Sequence, residues 1–197
     1  MTERAEKERR WTLEEFLAWA EGQDQVWELV DGTPVPKMMA TPKVRHQDVA
    51  GNAYFHLRRQ LRSPCRAFEN IAVPTKDDGG ARVPDILVNC NDYDSDANRI
   101  AEPVLAIEVL SDSTRLIDFN DKLAEYQGKP SIRYVVLIEA RECEVRMHER
   151  TEGEWITSTY TSLDDTLVFP EIDATLSVRD LYENVPLPPR LRVVRDE

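Results

Sequence analysis

No stretch of this 197-residue chain approaches the roughly 18 consecutive apolar residues that a membrane-spanning helix needs. Its first ten residues, Met1 to Arg10, are charged throughout and lack the apolar core of a secretory signal. Cysteine is scarce and odd in number: Cys65, Cys90 and Cys143, with no CxxC pair among them. They read as buried or half-buried thiols of a reducing compartment, so a cytoplasmic protein with no membrane partner is expected. Three dispersed histidines, His46, His56 and His148, without HExxH spacing, argue against a zinc site. There is no glycine-rich phosphate loop, no GxSxG elbow, no repeat and no low-complexity tract, which sets aside P-loop and serine-hydrolase chemistry.

Positive charge is also in deficit. The net charge of −12 argues against a generic nucleic-acid binder. The deficit is uneven, however. Between Lys37 and Arg66 stand seven basic residues (Lys37, Lys43, Arg45, Arg58, Arg59, Arg62, Arg66) against one acid, Asp48, so this segment is +6 and the remainder −18. A local basic face of this kind, with Lys43, Arg45, Arg58, Arg59 and Arg62 as candidate contacts, is compatible with phosphate binding. A merely solvated helix face fits the charge equally well.

What the chain does contain is two carboxylates in apolar places. Asp85 stands in Arg82-Val83-Pro84-Asp85-Ile86-Leu87-Val88, and Glu108 in Val104-Leu105-Ala106-Ile107-Glu108-Val109-Leu110. Both segments read as short strands buried on both faces. A carboxylate taken there costs several kcal/mol unless a cation or hydrogen-bond donors compensate it. A hard divalent cation shared by the two is the natural compensator, magnesium first and manganese as a substitute.

The elements around them follow from local signals. Thr12-Leu13-Glu14-Glu15 is a capping box opening a helix that closes near Gly22. Val26 to Val30 reads as a strand, Asp31-Gly32 as a hairpin turn, and Thr33 to Met39 as an edge strand carrying Pro34 and Pro36. Thr41-Pro42 opens a longer helix, with Val49, Ala53, Leu57 and Leu61 at helical spacing, ended by Ser63-Pro64. Strands are expected at about 66–73, 82–89, 103–110, 132–139, 143–149 and 154–160, and helices at about 118–127 and 177–184. The order predicts an α/β (α+β) core, a mixed β-sheet flanked by helices, in one domain over 11–184. Residues 1–10 and the proline-rich end from 185 to 197 are expected to be mobile termini.

In the helix after Glu108, a rotation of about 100° per residue puts Phe119, Lys122, Leu123 and Tyr126 on one face. Asp118, Asp121 and Glu125 fall elsewhere. Lys122 therefore lies in the apolar stripe, where its ammonium can meet Asp85 and Glu108 or pair with Asp118 along the helix. Tyr126 is expected to pack in the core with its hydroxyl at the rim. Two carboxylates and a lysine are the parts of metal-dependent phosphodiester hydrolysis.

Pro84-Asp85, followed 23 residues later by Glu108, resembles the signature of the PD-(D/E)xK nuclease superfamily. Four blocks in order carry a closer resemblance: Trp27-Glu28-Leu29-Val30-Asp31-Gly32, Pro84-Asp85-Ile86, Glu108-Val109-Leu110-Ser111-Asp112-Ser113-Thr114, and Asp121-Lys122-Leu123-Ala124-Glu125-Tyr126. They are similar to the Uma-type restriction endonuclease family, a largely uncharacterised bacterial group, from about residue 11 to about 180. The resemblance implies a restriction-endonuclease-like fold and a magnesium-dependent endonuclease acting on nucleic acid, DNA above RNA. Asp85 and Glu108 would be metal ligands with the main-chain carbonyl of Val109. The superfamily's usual lysine position holds Leu110, and Lys122 would take that role. Glu28 matches the family's early glutamate near the metal, although on its hairpin it could equally face solvent. Asp112 replaces a common proline, which implies a slightly altered loop without loss of ligands. His46 is a candidate phosphate contact, with a structural role more usual for a lone histidine. His56 and His148 read as structural, and Ser111, Ser113 and Thr114 as loop and cap. Homodimerisation is left open. The rival reading is a non-catalytic interaction protein that retains the nuclease fold and uses its acidic surface, and the net charge favours it.

Overall fold

The computed structural model describes residues 9–37, 43–76, 78–110 and 118–188, without the side chains of Lys76, Asp118 and Phe119. The first element is helix α1 (Leu13–Ala20), opened by the capping box expected of Thr12 and Glu15. Thr12 Oγ1 accepts from the Glu15 amide, and Glu15 Oε2 accepts from the Thr12 amide. Strands β1 (Trp27–Val30) and β2 (Thr33–Pro36) then form the hairpin. Its two-residue turn places Asp31 at φ 49° and Gly32 at φ 76°, the double left-handed conformation that Asp-Gly adopts readily. A side chain at position 32 would also press on Arg10, whose Cβ lies 3.0 Å from where a Cβ would stand.

Helix α2 (Val44–Gln60) starts from Lys43, and Thr41 and Pro42, its expected opening, lie outside the described residues. Its stripe of Val49, Ala53 and Leu57 is fully buried, as the spacing predicts. The segment expected as one strand over 66–73 is two, β3 (Arg66–Glu69) and β4 (Val73–Lys76). That over 82–89 is likewise divided into β5 (Gly80–Arg82) and β6 (Ile86–Asn89). Val83-Pro84 explains the second break, because proline cannot donate to a ladder. Then come β7 (Leu105–Leu110), helix α3 (Asp118–Gly128), β8 (Tyr134–Glu139), β9 (Val145–Thr151) and β10 (Glu154–Tyr160). A hairpin of β11 (Thr166–Phe169) and β12 (Ala174–Ser177), joined by a short 3-10 turn, was not foreseen. The expected helix over 177–184 is only the single turn α4 (Val178–Leu181).

The strands form a four-stranded sheet in order β2-β1-β5-β4, a six-stranded sheet β10-β9-β8-β7-β6-β3 and the β11-β12 ribbon. β2 is an edge, where Pro34 and Pro36 are tolerated. In the six-stranded sheet only β7 and β8 are parallel, joined across α3. On one face Leu105, Ile107 and Val109 pack with α2 and the ribbon; on the other Ala106 and Leu110 pack under Tyr126 of α3. Among the described residues no helix is long and apolar enough to cross a membrane.

One sequence expectation is corrected outright. Cys65 and Cys90 are not free thiols but a disulfide, with Cα atoms 3.9 Å apart. Antiparallel pairing of Arg66 with Asn89 places the two flanking cysteines opposite one another, a nearness that sequence separation conceals. Cys143 is not part of this disulfide. The reducing compartment inferred from three thiols loses that support.

Candidate active site

The chain passes from the small sheet into the large one through Val83-Pro84-Asp85, and the site lies at this junction. Ile86 pairs with Ile107, Leu87 with Ala106 and Val88 with Leu105. One step beyond that register Asp85, just before β6, stands opposite Glu108; Glu108 meets Lys122 and Tyr126 of α3, and Asp85 meets Lys37 and, from α2, His46. The β1 strand brings Glu28 from the small sheet, and α3 brings Lys122, Glu125 and Tyr126.

All the central groups are buried: Glu28 is 1% exposed, Arg82 1%, Glu108 6%, Lys122 6%, Asp85 7% and Lys37 8%. Asp85 Oδ1 accepts from Lys37 Nζ at 2.7 Å, and Oδ2 from the Val109 amide at 2.7 Å. His46 Nε2 stands 3.4 Å from Oδ2. Burial alone would raise the Asp85 carboxyl, but Lys37 and His46 outweigh it and hold it well below the ordinary range. Glu108 is treated differently. Its Oε1 accepts from the Tyr126 hydroxyl at 2.8 Å and lies 3.8 Å from Lys122 Nζ. Among the described residues nothing donates to Oε2. Burial pushes the Glu108 carboxyl up, with Lys122 opposing and the Asp85 charge adding to the rise. The Tyr126 phenol is pushed far up by burial and by Glu108, so it stays a donor.

Behind these lies a chain of ion pairs. Glu28 Oε1 accepts from Lys122 Nζ at 3.0 Å and from the Val83 amide at 3.1 Å, while Oε2 accepts from Arg82 at 3.1 Å. Arg82 also grips Glu125 through Nε at 2.8 Å and Nη2 at 3.2 Å, and Thr75 donates to the same carboxylate. Burial works against the Arg82 charge, and Glu125 and Glu28 overcome it, so the guanidinium is held more firmly charged than usual. Paired in this way, Glu28 and Arg82 set where the Lys122 ammonium stands.

Asp85, Glu108, Lys122 and Glu28 thus come together, with Val109 beside Asp85 through its main chain. Glu28 faces inward rather than to solvent. The basic residues do not gather. Lys43 and Arg45 lie at the site end of α2, whereas Arg58, Arg59 and Arg62 are exposed near its other end. Twelve residues of helix separate His46 from Arg58, about 18 Å. Arg59 stacks over Phe55, and Arg62 donates to the Arg59 carbonyl. His148 is tied to Thr157, and His56 faces Asp180. Residues 111–117, with Ser111, Asp112, Ser113 and Thr114, lie outside the described residues.

Sequence reasoning missed Lys37, Arg82 and Glu125 as members of the site, and misplaced the Tyr126 hydroxyl, which is inside and not at the rim. Arg82 carried a signal: it is a lone charge at the edge of the same apolar run as Asp85. Glu125 sits three residues from Lys122, but helical angle alone put it off the inward face. Lys37, just past the end of the edge strand at Pro36, carried none.

Can this set hold a metal ion? Among the described residues no three His, Cys, Asp or Glu side chains form a ready cage. The donor chemistry nevertheless fits a hard cation. Four clustered carboxylates (Glu28, Asp85, Glu108, Glu125) face three permanent cations (Lys37, Arg82, Lys122), and Glu108 Oε2 accepts no hydrogen bond from the described residues.

The family model described as "Uma2: Putative restriction endonuclease" matches residues 13–179. The chain belongs to this family. Uma2 membership embraces the whole constellation, from Glu28 to Tyr126. A solved structure, described as "a putative nuclease belonging to DUF820" from Anabaena variabilis, aligns with a TM-score of 0.71. The alignment covers 89% of this chain and 99% of that one at 20% identity, a likeness of fold. The expected restriction-endonuclease-like fold, a mixed sheet flanked by helices, is the fold observed. An uncharacterized protein of Synechocystis sp. is 28% identical over 104 residues, 52% of this chain. The match spans about half the length (54%) of that curated relative.

Proposed function

We propose that this Uma2 protein is a metal-dependent nuclease that hydrolyses phosphodiester bonds in DNA, built as one domain over about 11–184. The observation that carries the reading is the burial of Asp85 and Glu108 where β6 meets β7, with the Val109 amide bonded to Asp85 and the Lys122 ammonium held beside Glu108. Asp85, Glu108 and the main-chain carbonyl of Val109 would hold magnesium or manganese. Such an ion supplies Lewis-acid polarisation of a phosphoryl oxygen and a more acidic bound water. Lys122 contributes a fixed positive charge where negative charge develops in the transition state, and Glu28 and Arg82 keep it there. Tyr126 fixes the rotamer of Glu108 through its hydroxyl.

The competing reading, a non-catalytic interaction protein on a nuclease fold, is favoured by one observation. Lys37 already neutralises Asp85, and Lys122 is already paired with Glu28, as in a site serving stability alone. A cleavage assay on duplex and single-stranded DNA and RNA, with magnesium or with chelator, separates the two. The nuclease reading expects cleavage by the wild type that chelator and Asp85→Ala both abolish. Equal, metal-independent backgrounds in both proteins would overturn it.

A further inference from the structure

Lys37 stands where two cations would compete. Its ammonium lies 2.7 Å from Asp85 Oδ1 and 3.0 Å from Asn70 Oδ1, inside the protein. Asp85 Oδ2 is taken by the Val109 amide and faces His46, so Lys37 occupies the remaining side of the carboxylate. A magnesium ion binds a carboxylate oxygen at about 2.1 Å. An ammonium bonded to that same oxygen would face it at close range in a place with little water to screen them. The main chain of Lys37 is anchored, its amide donating to the Val26 carbonyl at 2.9 Å. The side chain is a flexible four-carbon stem, able to turn away without moving the strand.

We propose that Lys37 is a resident counter-ion that holds Asp85 in the metal-free protein and leaves it when a divalent cation binds. The exchange keeps the buried carboxylate neutralised without metal, and it weakens metal binding by making the ion displace a charge already in place. The inference rests on Asp85 and Glu108 being the metal site proposed above.

Calorimetric titration of manganese into the wild type, Lys37→Met and Glu108→Ala tests it, with melting curves for each. Lys37→Met is expected to bind manganese at least tenfold more tightly than the wild type. It should melt lower than the wild type without metal, with the gap closing at saturation, because manganese then supplies the missing charge. In the wild type, acylation of Lys37 by an amine-directed reagent, read by mass spectrometry, should speed up at saturating manganese. Equal or weaker binding by Lys37→Met would overturn the exchange, since Lys37 would then remain with the metal. If Lys37→Met does not fold, the wild-type acylation decides: no change on adding manganese overturns the proposal. Failure of the metal-site reading looks different, because the wild type and Glu108→Ala would then bind manganese equally or not at all, and the exchange falls with it.

Discussion

The junction of the two sheets and the outer face of α2 carry charge in opposite ways. At the junction Glu28, Asp85, Glu108, Arg82, Lys37 and Lys122 are almost wholly buried, and each is tied to named partners at hydrogen-bond or ion-pair distance. At the end of α2 and just beyond it Arg58, Arg59 and Arg62 are exposed, with Arg59 over Phe55, which is itself 53% exposed. The first set had to be arranged, because an uncompensated buried charge costs several kcal/mol. The second could be placed there for solubility alone, because exposed charges contribute little to stability. A buried charge is therefore a far stronger pointer to function than a surface run of the same residues.

The sharpest way to break that contrast is to remove the carboxylates. Glu108→Gln is expected to lower single-turnover DNA cleavage at saturating magnesium by on the order of 10³-fold, while the protein stays folded. A rate within a few-fold of wild type would return the junction to a purely structural role. Lys122→Met keeps the aliphatic stem and should slow the same reaction by about 10²–10³-fold, with metal binding retained. An unchanged rate would mean that the lysine serves Glu28 and not the reaction.

Arg82→Met tests the supporting ion pairs. It leaves Glu28 and Glu125 buried without their shared cation and should cost about 3–5 kcal/mol in urea unfolding. A loss below about 1 kcal/mol would show that the pairs are interchangeable with surface charges.

The two carboxylates should also differ in how stability responds to pH in the metal-free protein. The depressed Asp85 contributes stability that is complete above the ordinary aspartate range and lost as pH falls below it. The raised Glu108 works in the other sense: the fold favours its protonated form, and that contribution is lost as pH rises through its elevated value. Asp85→Asn should therefore remove part of the acid-side fall in stability, and Glu108→Gln part of the fall above the ordinary glutamate range. Denaturation across the carboxylate titration range checks both signs.

The smallest effect belongs to the surface. Reversing Arg58, Arg59 and Arg62 together should leave folding stability within about 0.5 kcal/mol per residue. If these residues track phosphates, reversal weakens DNA binding and flattens its dependence on salt, measured as log affinity against log salt. An unaltered slope would assign nucleic-acid contact to the site end of α2, where Lys43 and Arg45 lie.

Much of the site was legible for one reason. Asp85 and Glu108 interrupt apolar runs, and Lys122 interrupts an apolar helical stripe, so each announces a burial that needs compensation. The same reasoning applied to Arg82 would have reached it too. The long helix, the Asp-Gly hairpin and the capping box were equally readable, because each depends on residues within a few positions of one another. The β11–β12 ribbon was not, since Thr166 to Phe169 and Ala174 to Ser177 are short and lack a strong turn signal between them.

Local sequence thus determined the elements, the proline-bearing edge and the presence of misplaced charges, all set by conformational preference and the cost of burying an ion. Tertiary structure alone decided who compensates whom. Lys37 lies 48 residues from Asp85 and Arg82 lies 54 from Glu28, while Cys65 finds Cys90 only because β3 pairs with β6. Such partnerships depend on sheet register and on the meeting of two sheets. No local pattern encodes them, because the energy that selects them is shared across the whole packed chain.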